Sequence, residues 1–152
     1  MVRKVESIVK KDLLALDCQL CFPLYACSKE IVRAYQPFLE PLHLTYTQYI
    51  VMMVLWEHKE LNVKTLGSYL YLDSGTLTPL LRKLEAKGYL TRTRSDKDER
   101  TVIIRVTKEG QALHEVAQSI PLKMKCLLNI SDEEFSTMYQ LLYKILGHLV
   151  KK

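Results

Sequence analysis

The sequence predicts a mainly α-helical fold with one small β-hairpin. Three observations favour this fold class: apolar residues recur every three or four positions over most of the 152 residues, one segment near residue 102 alternates with a period of two, and only 5 glycines and 5 prolines are present. A β-sandwich or barrel needs a turn about every ten residues and more of these turn formers. Hydrophobic residues at 48% and charged residues at 26% exclude a disordered chain.

The first predicted helix runs from about residue 12 to residue 35, with Pro23 inside it. A proline in a helix interior removes one backbone hydrogen bond and kinks the chain, so either this helix bends at Pro23 or a new helix begins there. Pro37 and Pro41 predict a short connection after it. The apolar positions that define the helix are Leu13, Leu16, Leu20, Leu24, Ile31 and Tyr35.

Capping patterns predict where the next two helices begin. Thr45 with Gln48 forms a capping box before an apolar run, which indicates a buried helix over residues 46–58. Asn62 can then cap a short helix over residues 63–70.

A further helix follows after the short turn at residues 71–73. Asp73 or Ser74 can cap it, and Gly88 ends it. Two helices joined by such a turn form a helix-turn-helix pattern. The inner face of the second one carries Leu77, Leu80, Leu81 and Leu84.

The hairpin is predicted directly after this pair of helices. Val102, Ile104 and Val106 alternate with more polar neighbours, as expected for a strand, and residues 89–93 can pair with them across a charged tip at 94–99. A helix-turn-helix followed by a hairpin is a winged helix-turn-helix.

The C-terminal part reads as helical again. Thr107 can cap a helix that begins at Lys108, and Pro121 predicts a bend or a restart within it. Ser131 and Glu134 form a second capping box. The helix after it carries a helically spaced apolar face: Phe135, Met138, Leu141, Leu142, Ile145 and Leu149.

We therefore divide the one compact chain into a winged helix-turn-helix region, 45–107, and a helical dimerisation region made of residues 1–44 and 108–152. The apolar faces of the terminal helices exceed what the small central core needs, which favours a dimer. The alternative, that both faces pack within the monomer, stays open because periodicity does not identify the covering surface.

The net charge of +5 is concentrated in one segment. Nine basic and four acidic residues lie between residues 82 and 108, so the rest of the chain is neutral. This pattern indicates local contact with a polyanion, and the alternative is a solvated charged hairpin.

The second helix of a helix-turn-helix enters the major groove of double-stranded DNA, which identifies the candidate contacts. Hydroxyls and N–H groups at its N-terminus suit phosphates and base edges, Gly75 allows close approach, and wing cations can reach the backbone or a minor groove. Asp98 can orient Arg100, or the two can simply pair on the surface. The predicted DNA-binding residues are Ser74, Gly75, Thr76, Thr78, Pro79, Arg82, Lys83, Arg94, Lys97, Asp98 and Arg100.

These motifs carry a family resemblance over about residues 16–110. The helix-turn-helix, the wing Arg-Ser-Asp-Lys-Asp-Glu-Arg at 94–100 and Thr-Lys-Glu-Gly at 107–110 resemble the MarR family of dimeric winged-helix regulators. Gln-Leu-Cys-Phe at 19–22, Leu-Thr-Tyr at 44–46 and Tyr-Leu-Asp-Ser-Gly-Thr-Leu-Thr-Pro-Leu at 71–80 resemble its OhrR-like branch, which senses organic hydroperoxides.

The resemblance implies a homodimer that represses transcription from an inverted-repeat operator until a cysteine is oxidised. Cys21 matches the redox-sensing cysteine, and Tyr25 and Tyr35 match two tyrosines that approach it from the partner subunit. Some members carry a distal cysteine that forms an intersubunit disulfide with the sensor, and Cys126 lies in a comparable place. Cys18 and Cys27 are the less favoured resolving thiols.

Chemistry read from the residues leaves alternatives open. Cys21 needs thiolate character and access to form a sulfenic acid, and otherwise it is an inert buried thiol. A zinc site at Cys18 and Cys21 has no second ligand pair, so we expect no metal and no cofactor. The other functions weighed are a regulator of the same family that binds an aromatic small molecule, and a thiol peroxidase; we expect no enzyme.

Location is predicted from the absence of two patterns. The longest apolar runs are far shorter than the ~20 residues of a membrane span. Residues 1–12 contain basic residues without an apolar stretch or a cleavage site for secretion. We expect a cytoplasmic protein that does not insert in membranes.

Overall fold

The computed structural model describes residues 14–96, 98 and 100–150. Within them, eight α-helices and three short strands form a winged helix-turn-helix between helical segments, so the predicted fold class is confirmed. The helices are α1 (Cys21–Ala34), α2 (Gln36–Leu39), α3 (Tyr46–His58), α4 (Val63–Leu70), α5 (Ser74–Ala86), α6 (Lys108–Ala117), α7 (Ile120–Leu128) and α8 (Asp132–Leu149). The strands are β1 (Glu60–Asn62), β2 (Leu90–Arg94) and β3 (Val102–Val106).

The first helix begins later than the leucine spacing predicts. Residues Leu16–Cys18 form a single 3₁₀ turn, and α1 starts at Cys21, so a continuous helix over 12–35 is wrong for the described residues. Pro23 is the third residue of α1, where its missing N–H costs nothing because the first-turn donors have no intrahelical partner. The prediction of a new helix near Pro23 is therefore confirmed. Residues 1–13 lie outside the described part of the chain.

The predicted caps of the central helices are confirmed. The Thr45 hydroxyl accepts from the Gln48 N–H at 3.4 Å, and the Gln48 side chain accepts from the Thr45 N–H at 3.1 Å. Asn62 Oδ1 accepts from a backbone N–H in the first turn of α4 at 2.7 Å. Asp73, rather than Ser74, caps α5. Each bond satisfies a donor that would otherwise be unpaired at the helix start, so these local pairs determine the helix boundaries.

The sheet contains one strand that the sequence pattern does not reveal. The strand order is β1–β3–β2, with both pairs antiparallel. The hairpin of β2 and β3 is confirmed, with Leu90 opposite Val106 and Arg94 opposite Val102. Strand β1 has three residues, which is too short to show a period of two, and pairs Leu61 with the buried Ile104.

The core lies under the helix-turn-helix. Side chains of α3, α4, α5 and the sheet meet there, and burial of each large aliphatic side chain contributes roughly 1.5–3 kcal/mol. The largest buried members are Leu39, Val51, Met52, Leu55, Leu66, Leu77, Leu81, Leu84, Leu90 and Ile104. Through this packing, the buried face of α5 lies against the rest of the winged helix.

The C-terminal helices also follow the predicted boundaries. Thr107 caps α6, Pro121 is the second residue of α7, where the chain restarts, and Ser131 with Glu134 forms the capping box of α8. Helices α1 and α8 contain no buried residue and enclose a groove of about 650 Å³. Its apolar lining is Leu20, Leu24, Met138, Leu141, Leu142 and Ile145. No helix in the described residues is both long and apolar enough to cross a membrane.

Candidate nucleic-acid interface and redox site

The N-terminus of α5 presents the polar residues that the sequence predicted for DNA contact. Asp73 Oδ1 accepts from the Thr76 N–H at 2.9 Å, and Asp73 Oδ2 accepts from the Thr76 hydroxyl at 2.9 Å. These bonds hold the pKa of Asp73 below its ordinary value. A Cβ added at Gly75 would lie 2.9 Å from Asp73 Oδ1, so a side chain there would disturb the cap. Ser74, Gly75 and Thr76 are exposed at this end of the helix.

The second turn of α5 is modified by a proline. The Thr78 hydroxyl donates to the Ser74 carbonyl at 2.7 Å, so it is partly occupied within the helix. Pro79 has no N–H, and therefore the Gly75 carbonyl lacks its usual donor four residues on. Arg82 lies four residues after Thr78 in α5 and is exposed.

The structure divides the basic segment into paired and unpaired cations. Arg92 lies across the Glu85 carboxylate, with Nε at 2.9 Å and Nη2 at 2.7 Å from Oε2, and Arg105 pairs with Glu60. Lys87 donates to a backbone carbonyl and a side-chain amide. Among the described residues, the exposed cations of this segment without an ion pair or side-chain hydrogen bond are Arg82, Lys83, Arg94, Arg100 and Lys108. Counting charges in the sequence therefore overestimates the charge available to DNA.

Asp98 organises the tip of the wing through the backbone. Its Oδ1 accepts from the Arg100 N–H at 3.0 Å and its Oδ2 accepts from the Thr101 hydroxyl at 2.8 Å. The Thr101 hydroxyl and the Arg100 N–H lower the pKa of Asp98. Within the described residues no ion pair joins Asp98 to the Arg100 guanidinium, so the carboxylate shapes the turn that carries this arginine. The predicted contact Lys97 lies outside the described residues.

Cys21 is the first residue of α1 and is exposed. Tyr25, one turn further on, is exposed over 65% of its surface. Cys27 and Cys126 are also exposed, whereas Cys18 is half-buried. The described residues include all four cysteines of the chain, and no disulfide joins any of them. The side chains around Cys21 are therefore open to solvent in a single chain.

Tyr35 lies at the opposite end of α1 from Cys21. A helix rises about 1.5 Å per residue, so the 14 residues of α1 separate the two by roughly 20 Å within one chain. Tyr35 packs on Tyr46 and Tyr49, with ring centroids 4.9 and 5.9 Å away. Burial, and then the neighbouring Tyr46, raises the pKa of Tyr35, so its hydroxyl stays protonated as a donor. Contact between Cys21 and Tyr35 requires a second chain.

Two polar contacts that position α5 were not predicted from the sequence. The first is the Glu85–Arg92 pair, whose members are seven residues apart across the Gly88 turn. The second joins Lys87 to the His43 carbonyl and to Gln48. The spacing of Glu85 and Arg92 around a glycine turn is a signal that could have indicated the first pair; the second joins distant segments and leaves no local signal.

Comparisons with known proteins by sequence identify transcriptional regulators. Residues 33–116 match the family of the transcriptional regulator SarA/Rot. The organic hydroperoxide resistance transcriptional regulator of Bacillus subtilis (strain 168) is 46% identical over 143 residues, which cover 94% of this chain and 97% of that protein.

Comparisons by structure lead to proteins in complex with DNA. Reduced AbfR bound to DNA has a TM-score of 0.76 and 32% identity, and the match covers 90% of this chain and 95% of AbfR. AbfR, a protein of Staphylococcus epidermidis, also has an overoxidised structure bound to DNA and a disulfide structure. A MarR variant from E. coli with operator DNA has a TM-score of 0.75 and 25% identity, covering 90% of this chain and 99% of MarR.

Proposed function

Because this chain belongs to the MarR family of winged-helix transcriptional regulators, in its OhrR-like branch, we propose that it represses transcription until Cys21 is oxidised by an organic hydroperoxide or a related oxidant. The observation that carries the proposal is the position of Cys21, which is exposed at the first residue of α1 in a chain 46% identical to a hydroperoxide-resistance regulator. Oxidation then releases the operator.

DNA binding uses the N-terminus of α5 and the wing. The hydroxyls and backbone groups of Ser74, Gly75, Thr76 and Thr78 face the major groove, where a helix N-terminus suits phosphate oxygens and base edges. The unpaired cations Arg82, Lys83, Arg94 and Arg100 neutralise phosphates or contact bases, and Pro79 leaves the Gly75 carbonyl without its usual donor. Lys97 belongs to the same set by its place in the wing, and Asp98 shapes the turn.

A homodimer is the binding form. Residues 1–44 and 108–152 make the dimerisation region, because α1 and α8 leave an apolar groove that a second copy of the same helices can fill. Two winged helices, residues 45–107 of each protomer, then bind an inverted repeat whose half-sites are about one helical turn, ~34–36 Å, apart.

The sensing reaction begins at the Cys21 sulfur. The thiolate attacks the terminal oxygen of the hydroperoxide ROOH, the O–O bond breaks, and the products are the sulfenic acid Cys21–SOH and the alkoxide RO⁻, which takes a proton to become the alcohol ROH. The sulfur is oxidised by two electrons and the peroxide is reduced by two. A helix N-terminus attracts negative charge, which stabilises the departing alkoxide. The hydroxyls of Tyr25 and Tyr35 from the partner subunit donate hydrogen bonds to this sulfur.

A disulfide is the form that leaves DNA. The Cys126 thiol of the partner subunit attacks Cys21–SOH, the S–O bond breaks, and water leaves as the disulfide forms. Cys126 is exposed in α7, as this step requires. AbfR is bound to DNA in both its reduced and its overoxidised forms, which favours disulfide formation, rather than added oxygen alone, as the releasing event. Cys27 and Cys18 are the less favoured partners.

Regulation, rather than catalysis, is the role proposed for this chemistry. The relatives named above are regulators, whereas a thiol peroxidase would turn over with a reductant and would not need a DNA-binding wing. A cytoplasmic location is part of the proposal, because a repressor has to reach the chromosome.

The test is intact mass under denaturing, non-reducing conditions after about one equivalent of an organic hydroperoxide, followed by peptide mapping and an operator mobility shift. We expect a linked dimer that maps to Cys21 and Cys126 and no longer binds. Cys21→Ser should bind the operator and stay bound, and Cys27→Ser should behave as the unsubstituted chain. A Cys21→Ser protein that dissociates on peroxide would refute the sensor assignment, and a monomer carrying one oxygen or a mixed disulfide at Cys21 would refute the role of Cys126.

A further inference from the structure

The loop that follows the recognition helix α5 receives contacts from both segments that connect the winged helix to the terminal helices. These are residues 42–48, which lead from α2 into α3, and residues 107–110, which lead from β3 into α6. Both meet the short segment Lys87–Tyr89, directly after the last residue of α5. Any displacement of either connection is therefore applied at the end of the helix that reads DNA.

The incoming connection contacts this loop through Lys87. The Lys87 ammonium donates to the His43 carbonyl and, at 3.0 Å, to Gln48 Oε1. His43 has a positive φ of 53°, and Gln48 is 96% buried and already belongs to the capping box of α3. The Tyr89 hydroxyl donates to the neighbouring Leu42 carbonyl at 3.4 Å. The ammonium thus has two acceptors, a backbone carbonyl and a buried side chain.

The outgoing connection holds the same loop from the other side. The Thr107 hydroxyl donates to the Gly88 carbonyl at 2.6 Å, and the Thr107 N–H donates to the Tyr89 carbonyl at 3.1 Å. Gly110 packs so closely that an added Cβ would lie 2.0 Å from the Tyr89 oxygen. Gly88 itself has a φ of +75° and ends the helix. The backbone of the loop is therefore fixed to α6, and the Lys87 side chain is its main polar link to the α2–α3 connection.

We propose that Lys87 is a positioning residue that couples the recognition helix α5 to the N-terminal helices, so that a movement of α1 and α2 on oxidation displaces α5 from the major groove. This inference rests on the proposed redox function. A charged hydrogen bond to a carbonyl is stronger than a neutral one and directional, so it transmits a shift of the α2–α3 connection. Without the ammonium, the same shift is absorbed between α2 and α5.

The experiment compares operator affinity in the reduced and peroxide-oxidised full-length protein for the unsubstituted chain and for Lys87→Met, which keeps most of the side-chain length and removes the donor. We expect Lys87→Met to bind the operator within about threefold of the unsubstituted chain when reduced. The ratio of the Kd of the oxidised protein to the Kd of the reduced protein should be at least about fivefold smaller for Lys87→Met than for the unsubstituted chain. A factor of about five is the lower end of typical coupling between two sites. The rate of Cys21 oxidation should not change, and the melting temperature should fall by only a few degrees because two hydrogen bonds are lost while the core is intact.

Lys59→Met is the matched control, because the Lys59 ammonium donates to a side-chain amide, Gln111 Oε1, at 2.9 Å without contacting the loop after α5. Its ratio should equal that of the unsubstituted chain. The proposal is overturned if Lys87→Met keeps the full ratio, if Lys59→Met loses it equally, or if Lys87→Met is folded but no longer binds while reduced. If Lys87→Met does not fold, Lys87→Gln, which removes the charge and shortens the side chain, is judged by the same ratio, where a fall supports the coupling and an unchanged value overturns it.

The outcomes separate this inference from the proposed function. If the unsubstituted protein is not released by peroxide, the redox function fails. If it is released and Lys87→Met is released equally, only the role of Lys87 fails.

Discussion

The pair formed by Glu85 in α5 and Arg92 in β2 should hold the wing at a defined angle to the recognition helix. Glu85 Oε2 accepts from the guanidinium at 2.9 and 2.7 Å, and Oε1 accepts from the Arg92 backbone N–H at 3.1 Å. One carboxylate thus binds both the side chain and the backbone of the first wing strand. Removing it should loosen the wing without unfolding the core.

The expected size of the coupling follows from burial. The side chains of Glu85 and Arg92 are 36% and 25% exposed, so the pair is neither fully exposed nor fully buried. An exposed ion pair contributes about 0–1 kcal/mol to stability, whereas breaking a buried one costs about 3–5 kcal/mol. We therefore expect an interaction free energy of about 1–2 kcal/mol. The assay is a double-mutant cycle of Glu85→Ala, Arg92→Ala and both together. Urea unfolding should be measured at one protomer concentration, since dimer stability depends on concentration.

Operator binding gives an independent readout of the same contact. Removing an acidic residue near DNA should strengthen binding by charge alone, so weaker binding by Glu85→Ala can come only from a misplaced wing or recognition helix. The matched control is Glu115→Ala, which removes an equal charge from the exposed side of α6. An interaction free energy below about 0.3 kcal/mol, or equal operator affinity for the two variants, would refute the argument.

Three further outcomes follow from single sites. Gly110→Ala should lower the free energy of unfolding by about 1–3 kcal/mol in a urea titration, because the added Cβ meets a backbone carbonyl. Gly147→Ala is the control and should raise the free energy of unfolding by about 0.5 kcal/mol, because the space around Gly147 is open. Equal effects of the two substitutions would contradict the close approach at Gly110. The Thr101 hydroxyl and the Arg100 N–H lower the pKa of Asp98 in the folded protein. These two hydrogen bonds therefore stabilise the wing tip fully above the ordinary aspartate pKa of about 3.9, and this stabilisation is lost as pH falls through the lowered pKa of Asp98. The amide shift of Thr101 by NMR should show this, and a midpoint above the ordinary value would contradict it. Leu142→Glu should weaken dimerisation at least about a hundredfold in sedimentation experiments by placing a charge in the α1–α8 groove, and an unchanged dimer would move the interface elsewhere.

The helices and the overall architecture could be predicted from the sequence because their determinants are local. A capping box joins residues three apart, as with Thr45 and Gln48, and a proline or glycine acts on its own turn. Cys21 and the residues at the start of α5 were identifiable for the same reason, since each lies in a short contiguous motif. Their roles in sensing and binding remain predictions.

Non-local pairing explains what was missed in the fold. Strand β1 contributes three residues, and Leu61 finds Ile104 43 positions away in the chain, so no periodicity marks it. The late start of α1 was one of two outcomes compatible with Pro23, and the spacing of leucines alone favoured the wrong extent.

The sequence by itself determined where the helices from α3 onward begin, the winged helix-turn-helix and the concentration of positive charge between residues 82 and 108. Only the tertiary structure decided which of those cations are available to DNA, because Arg92 is paired with Glu85 and Lys87 with the His43 carbonyl. The physical reason is that helix formation depends on neighbours within one turn, whereas the partner of a charged side chain depends on which distant segments the packed core brings together.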